Sequence, residues 1–196
     1  MDKKLDKKIS ALDPAFREKL KDLFETITES ISALYETAIT DEKTGLYNNK
    51  FFEANLDIEI EKAKRGYDNL SLVIVDIDHF KKINDSLGHI KADELLSRLG
   101  TLIKKQIRKY DIAARFGGEE FFILLPETNL DKARKFASRL RNSIHSDKML
   151  KKYSVNVSGG ITQFKKNDTK KRFKERVDKA LYRAKREGRD RFIAIV

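Results

Sequence analysis

Two periods of apolar residues share this chain, and the places where one gives way to the other mark its elements. Leu20, Phe24, Ile27, Ile31, Leu34 and Ala38 recur at steps of 4, 3, 4, 3 and 4. That 3.5-residue period predicts a helix with a heptad seam. Asp13 and Pro14 supply its start, an N-cap followed by a ring preset for the first helical position. The lysine-rich residues before it are expected to fray. The seam lasts under three heptads. It reads either as a dimerisation or signalling helix or as a helix packed on its own domain. A polar stretch containing Gly45 then predicts a boundary loop over 40–48, dividing a helical segment, 1–40, from a domain over 41–196.

Within that domain the periods alternate. A helix is predicted from Asn49 to Arg65, ended by Gly66. Leu70–Val75 reads as a buried strand, broken off by Asp76-Ile77-Asp78. Helical spacing returns at 80–86, stops at Gly88 and resumes from Lys91 to Lys109. Strands are predicted at 111–116 and 119–125, the second closed by Pro126. Ala133, Phe136, Ala137, Leu140 and Ile144 mark one face of a helix over 129–146. A strand over 153–164 holds Gly159-Gly160, which permits a close approach or a bulge. A helix over 170–187 ends at Gly188, and a short strand over 191–196 completes the chain. The core order βαββαβ predicts an α+β fold of ferredoxin-like type, a mostly antiparallel sheet with helices on one face, preceded by the N-terminal helix. This topology sets the end of the first long strand, Asp76, beside the central hairpin.

The hairpin carries the candidate chemistry. Gly117-Gly118 between two strands predicts a two-residue type I′ turn, which needs positive φ at both positions. Glu119 and Glu120 follow at once, and five apolar residues follow them. With Asp76 and Asp78, up to four carboxylates gather at one corner. Such crowding is costly without a cation. Oxygen donors without His or Cys favour Mg²⁺ or Mn²⁺ over zinc, and such ions serve phosphoryl transfer. The structural alternatives are a polar hairpin tip and a strand-end turn.

Composition narrows the function classes. The 196 residues contain no cysteine, which removes disulfides, thiolate zinc sites and cysteine nucleophiles. No apolar stretch approaches the roughly 20 residues of a membrane span, and the charged start does not resemble a signal peptide. A cytoplasmic location is expected. Net charge is +11. The first forty residues carry 7 Lys/Arg against 8 Asp/Glu and the remainder 35 against 23. A basic domain attracts polyanions such as nucleotides, nucleic acid or acidic membrane.

Four blocks in order carry a family resemblance. Gly117-Gly118-Glu119-Glu120-Phe121 resembles the signature of GGDEF-domain diguanylate cyclases in its GGEEF form. Asp76 to Asp85, then Gly88-His89 and Asp93, resembles the family's metal- and guanine-binding segment. Asp41, Thr44-Gly45-Leu46 and Asn48 resemble its opening motif. Ala180 to Lys185, then Gly188-Arg189, resembles its closing helix. The blocks cover about residues 41–196. The resemblance implies a fold related to polymerase palms and nucleotide cyclases. It also implies condensation of two GTP into cyclic di-GMP and two pyrophosphates, each 3′-hydroxyl attacking the other nucleotide's α-phosphate.

By motif position, Asp76, the carbonyl of Ile77 and Glu119 would hold Mg²⁺. Glu120 would be the general base or a further metal ligand. Asn84 and Asp93 would read guanine, and His89 would support the pocket. Amides at Phe80 and Lys81 would cradle phosphate at a helix N-terminus. Lys185 and Arg189, four apart and able to share a helix face, would clamp the β- and γ-phosphates. Arg108 and Asp111, with Arg139, resemble the family's inhibitory product site. Since each site holds one GTP, the resemblance implies a homodimer with facing sites, brought together by the N-terminal heptads.

The chain departs from the usual pattern at Lys43, Asn49, Ala92, Gly159 and Asp190. Two other classes compete with the cyclase. One is a catalytically silent sensor of cyclic di-GMP working through Arg108 and Asp111. The other is a basic nucleic-acid binder, which explains the charge but not the acids at a buried strand's end. Nucleic acid is therefore not expected as a partner.

Overall fold

The computed structural model describes residues 12–66 and 69–196. The lysine-rich start expected to fray lies almost wholly outside them. The chain divides between Ile39 and Thr40 into two compact units. The first contains α1 (Pro14–Ile39). Asp13 caps it, its Oδ1 accepting the Phe16 N–H at 3.1 Å. No residue of α1 is buried, and Phe24, Ile27, Ile31 and Leu34 on its seam are 44–71% exposed. No helix among the described residues is long and apolar enough to cross a membrane.

The second unit runs β1 (Tyr47–Asn48), α2 (Asn49–Lys64), β2 (Leu70–Ile77), α3 (Phe80–Leu87), α4 (His89–Gln106), β3 (Ile112–Gly117), β4 (Glu120–Pro126), α5 (Leu130–Ser146), α6 (Lys148–Lys152), β5 (Val157–Gln163), α7 (Lys170–Arg186) and β6 (Phe192–Ile195). Side chains cap the helices where the sequence supplies them. Asn48, Asn129 and Thr169 accept the amides of Phe51, Lys132 and Arg172. The strands form one six-stranded sheet in the order β1-β3-β4-β2-β5-β6. Its inner four strands are antiparallel and its edge strands pair parallel. The inner order β3-β4-β2-β5 is the ferredoxin-like arrangement predicted.

The layering differs from the prediction. Helices cover both faces of the sheet, not one. Val73, Val75 and Ile77 of β2 join Phe121, Ile123 and Leu125 of β4 in a cluster with α4 and α5. Leu72 and Ile74 face the other way, with Phe122 and Leu124, against Phe52 and Leu56 of α2 and Phe173, Val177 and Leu181 of α7. Burial on both faces is why β2 and β4 read as continuous apolar runs and show no alternation.

Other boundaries move for tertiary reasons. Tyr47 and Asn48, predicted as loop, pair with Ala114 and Arg115 of β3. α4 starts at His89 and ends at Gln106. Residues 148–152, without a predicted element, form α6, and β5 starts at Val157 and not at 153. The α6 cap is Asp147, which accepts the amides of Met149 and Leu150 while Arg98 of α4 grips its other oxygen. That arginine lies 49 positions away and leaves no local signal. Gly159 and Gly160 serve close approach, with no shift in register. A Cβ at Gly160 would lie 2.2 Å from the Val177 carbonyl oxygen and 2.7 Å from the Leu181 nitrogen.

Candidate active site

The hairpin turn is one residue later than predicted. β3 continues through Gly117, which pairs with Glu120 after a register shift that follows Arg115. The two turn residues are therefore Gly118 and Glu119. Gly118 has φ +52° and Glu119 is not left-handed, so the type I′ turn expected at Gly117-Gly118 does not form. The shift places Glu119 at the tip and Glu120 at the start of β4, where it pairs with Asp76 of β2. The Glu119 carbonyl accepts the Ile77 N–H at 3.3 Å.

Arg115 holds this geometry, a role local sequence reading missed. Its Nε and one terminal nitrogen donate to the Gly118 carbonyl at 3.0 and 2.8 Å. Its other terminal nitrogen reaches the Asp41 carboxylate at 3.3 and 3.4 Å. Asp41 in turn accepts from the amide and hydroxyl of Thr44 at 3.0 and 2.7 Å. The opening loop is thus tied to the hairpin tip through one guanidinium. The charge just before the Gly-Gly pair is the only sequence feature that could have signalled it.

Asp76 sits at the buried end of β2, 4% exposed. Lys185 Nζ lies 2.8 Å from its Oδ2. Burial pushes the Asp76 carboxyl up to about 6; Lys185 opposes the rise, and the charges of Glu119 and Glu120 add to it. Asp78, expected to share this corner, turns away from it. Its Oδ1 accepts the Ser158 hydroxyl at 2.7 Å and its Oδ2 the Asp190 N–H at 3.0 Å. It is a buried tie between β5 and the loop before β6, and the four-carboxylate corner reduces to Asp76, Glu119 and Glu120. Among the described residues no three acids or histidines already converge on one point. The donor set nonetheless fits a hard cation: it is all-oxygen, burial and, to a lesser degree, Glu119 and Glu120 disfavour the Asp76 charge, and that buried carboxylate already carries one positive charge, Lys185.

The remaining predicted residues fall around this corner or near it. His79, at φ 58°, turns the chain into α3 without a side-chain cap. The amides of Phe80 and Lys81 belong to the first turn of α3, where helical N–H groups lack intrahelical partners. Asn84 is half-buried on α3, and His89 is exposed at the start of α4. Asp93, one turn further along α4, is held by Lys43, whose Nζ lies 2.7 Å from each carboxylate oxygen.

Lys185 belongs to the last turn of α7, but Arg189 lies beyond the helix at φ 61°. The two do not share a helix face as expected. Both still reach the end of β2, since Arg189 Nε lies 4.0 Å from Asp78 Oδ1. Asp190 fixes that loop. Arg141 donates to its carboxylate at 2.7 and 3.1 Å, and His145 Nε2 lies at 2.8 Å. Burial opposes ionisation of Asp190, but Arg141 and His145 outweigh it and hold its pKa below the usual carboxylate value.

Arg108, Asp111 and Arg139 gather at the C-terminal end of α4, apart from the hairpin. Asp111 is 8% exposed and accepts the Arg108 N–H at 2.7 Å. Burial raises its pKa against the pull of Arg108 and Arg139. Arg139 donates to the side chain and carbonyl of Gln106 at 2.6 and 3.0 Å.

The chain resembles known proteins along most of its length. The family model described as the GGDEF domain of diguanylate cyclases matches residues 38–191. Diguanylate cyclase DgcP of Pseudomonas aeruginosa is 43% identical over 159 residues, covering 80% of this chain and 24% of that protein. Response regulator PleD of Caulobacter vibrioides is 35% identical over 164 residues, covering 79% of this chain and 36% of that protein. The chain therefore spans about a quarter to a third of these two relatives. Among solved structures, the coiled coil and GGDEF domain of DgcB from Caulobacter crescentus, in complex with c-di-GMP, matches with a TM-score of 0.82 and 28% identity over 92% of this chain and 98% of that one. The active GGEEF domain of a Vibrio cholerae diguanylate cyclase matches with a TM-score of 0.71 and 33% identity over 75% and 96%. A turn that sets two glutamates against a buried strand-end aspartate, on this sheet and with these matches, identifies the chain as a member of the GGDEF-domain diguanylate cyclase family.

Proposed function

We propose that two copies of this chain condense two GTP into cyclic di-GMP and two pyrophosphates. The observation that carries this reading is the pairing of Asp76 with Glu120 across the sheet, next to the Glu119 turn, with Lys185 on the buried carboxylate. Asp76, the Ile77 carbonyl and Glu119 would hold Mg²⁺ or Mn²⁺. When bound, such an ion polarises the α-phosphate and eases ionisation of the attacking hydroxyl. Glu120, exposed at the start of β4, takes the proton from the 3′-hydroxyl or adds a ligand to the ion. The 3′-oxygen then bonds to the α-phosphorus of the facing nucleotide, and pyrophosphate leaves. Lys185 and Arg189 neutralise the β- and γ-phosphates, and the Phe80 and Lys81 amides donate to phosphate oxygens. Asn84 and Asp93 bind guanine, supported by His89. A carboxylate accepts from guanine's N1–H and N2–H₂, donors adenine does not present together.

Each chain supplies one nucleotide site, so turnover needs two sites facing across a two-fold axis. The exposed seam of α1 fits a second copy of itself and raises the local concentration of the partner site. Arg108, Asp111 and Arg139 bind the product and restrain turnover. The DgcB relative is in complex with c-di-GMP, in keeping with a product site in this fold. GTP as substrate is in keeping with a reaction in the cytoplasm.

Pyrophosphate release from GTP and Mg²⁺, measured against protein concentration, tests this reading. The rate per chain should rise with concentration, and Glu120→Gln should abolish it. Binding of cyclic di-GMP with no pyrophosphate release would instead identify a silent sensor. Salt-dependent DNA binding without preference for GTP would point to a nucleic-acid binder.

A further inference from the structure

Lys43 has no part in the roles above, yet it is paired with Asp93, which has one. Lys43 lies in the opening loop, at one of the departures from the family pattern. Its ammonium lies 2.7 Å from both Asp93 oxygens. The backbone on either side is fixed. Asp41 N–H bonds the Leu46 carbonyl at 2.8 Å and Gly45 N–H the Asp41 carbonyl at 2.9 Å. The next residue, Thr44, is buried against α4, so close that a Cβ at Gly100 would lie 2.7 Å from its carbonyl oxygen. Gly100 is two helical turns beyond Asp93 on the same helix. Backbone packing therefore sets Lys43 opposite Asp93. The pair itself stays open to solvent, with the two side chains 51% and 40% exposed. An exposed ion pair contributes little to stability, and this one presents a charged donor and a charged acceptor side by side to solvent.

We infer that Lys43 and Asp93 together read the edge of guanine that carries O6, N1–H and N2–H₂, with Lys43 setting selectivity at O6. This rests on the reading of Asp93 as a guanine contact. A carboxylate offers acceptors only and an ammonium donors only. Guanine presents acceptor, donor and donor along this edge, matching ammonium then carboxylate. Asp93 takes N1–H and N2–H₂. Lys43, with three donors, keeps one bond to Asp93 and gives another to O6. Entry of the base exchanges one ammonium–carboxylate bond for the O6 bond and leaves neither charge unpaired. Adenine fails twice, since its 6-amino group meets the ammonium and its N1 lone pair meets the carboxylate.

Displacement of a 3′-blocked fluorescent GTP by GDP, 6-thio-GDP and IDP tests the assignment without requiring turnover. 6-thio-GDP keeps both donors but replaces O6 by a weak sulfur acceptor, whereas IDP keeps O6 and lacks the 2-amino group. The wild-type chain should bind GDP about tenfold more tightly than 6-thio-GDP, as expected for a hydrogen bond to a charged donor. Lys43→Met should bring the two within about twofold while the GDP-to-IDP ratio stays as in wild type. Asp93→Asn should lower the GDP-to-IDP ratio. An unchanged GDP-to-6-thio-GDP ratio in Lys43→Met would overturn the inference, including the case where GDP binds more tightly because Lys43 merely competes for Asp93. If Asp93→Asn leaves the GDP-to-IDP ratio untouched, the guanine contact itself is wrong and the inference falls with it.

Discussion

Asparagine at position 76 keeps the size and shape of the aspartate and removes its charge. In the ligand-free chain that charge is unwelcome: burial, helped by Glu119 and Glu120 and opposed by Lys185, raises the Asp76 pKa from 3.8 to about 6. The pH dependence follows from which state holds the proton. Below 3.8 both folded and unfolded chains hold it. Between 3.8 and about 6 only the folded chain does, so stability falls as pH rises, and above about 6 the loss is constant. At about 1.4 kcal/mol per unit, the loss is about 1 kcal/mol at pH 4.5 and about 3 kcal/mol at pH 8. Asp76→Asn mimics the protonated form. Urea unfolding in EDTA should find it more stable than wild type by about 3 kcal/mol at pH 8 and by about 1 kcal/mol at pH 4.5. Saturating Mg²⁺ and a 3′-blocked GTP should close the gap, because a ligand at 100 times its Kd stabilises wild type by about 2.7 kcal/mol and the variant lacks the aspartate that anchors it. A stability difference that ignores pH, or a variant less stable than wild type at pH 8, would show that Asp76 is not a strained carboxylate awaiting a cation.

Three further outcomes are expected. Arg115→Ala breaks the bonds to Gly118 and Asp41; it should cost about 1–3 kcal/mol in urea unfolding and at least about tenfold in pyrophosphate release, and Arg115→Lys should not restore the activity. Gly160→Ala sets a methyl against the α7 backbone and should destabilise the chain by about 3 kcal/mol; thermal unfolding that matches wild type would contradict the close approach. Arg108→Ala should leave initial pyrophosphate release near wild type but weaken inhibition by added cyclic di-GMP by about tenfold or more; equal inhibition would remove the Arg108 end of α4 from the product site.

The sequence by itself determined most of the elements, though not β1 or α6, and the corner where β2 meets the hairpin. Periodicity and caps placed α1, α2, α5 and α7 to within a residue or two, because a helix declares itself through neighbours three and four apart. The unbroken apolar run of β2 and the βαββαβ order brought Asp76 to the hairpin, since few crossovers are open to such an order. What depends on partners distant along the chain was decided only by the tertiary structure. Helices on both faces became visible only when Leu72 and Val73 were found in opposite clusters. The hairpin turn lies one residue later, at Gly118-Glu119, where Arg115 ties the Gly118 carbonyl to Asp41, 74 positions from that arginine. Asp78 left the carboxylate corner for Ser158 and Asp190, 80 and 112 positions on. Lys43 met Asp93 across 50 positions. Local pattern records which face of an element is apolar. It holds no record of which distant charge closes on which, because that is settled by packing and desolvation once the elements have come together.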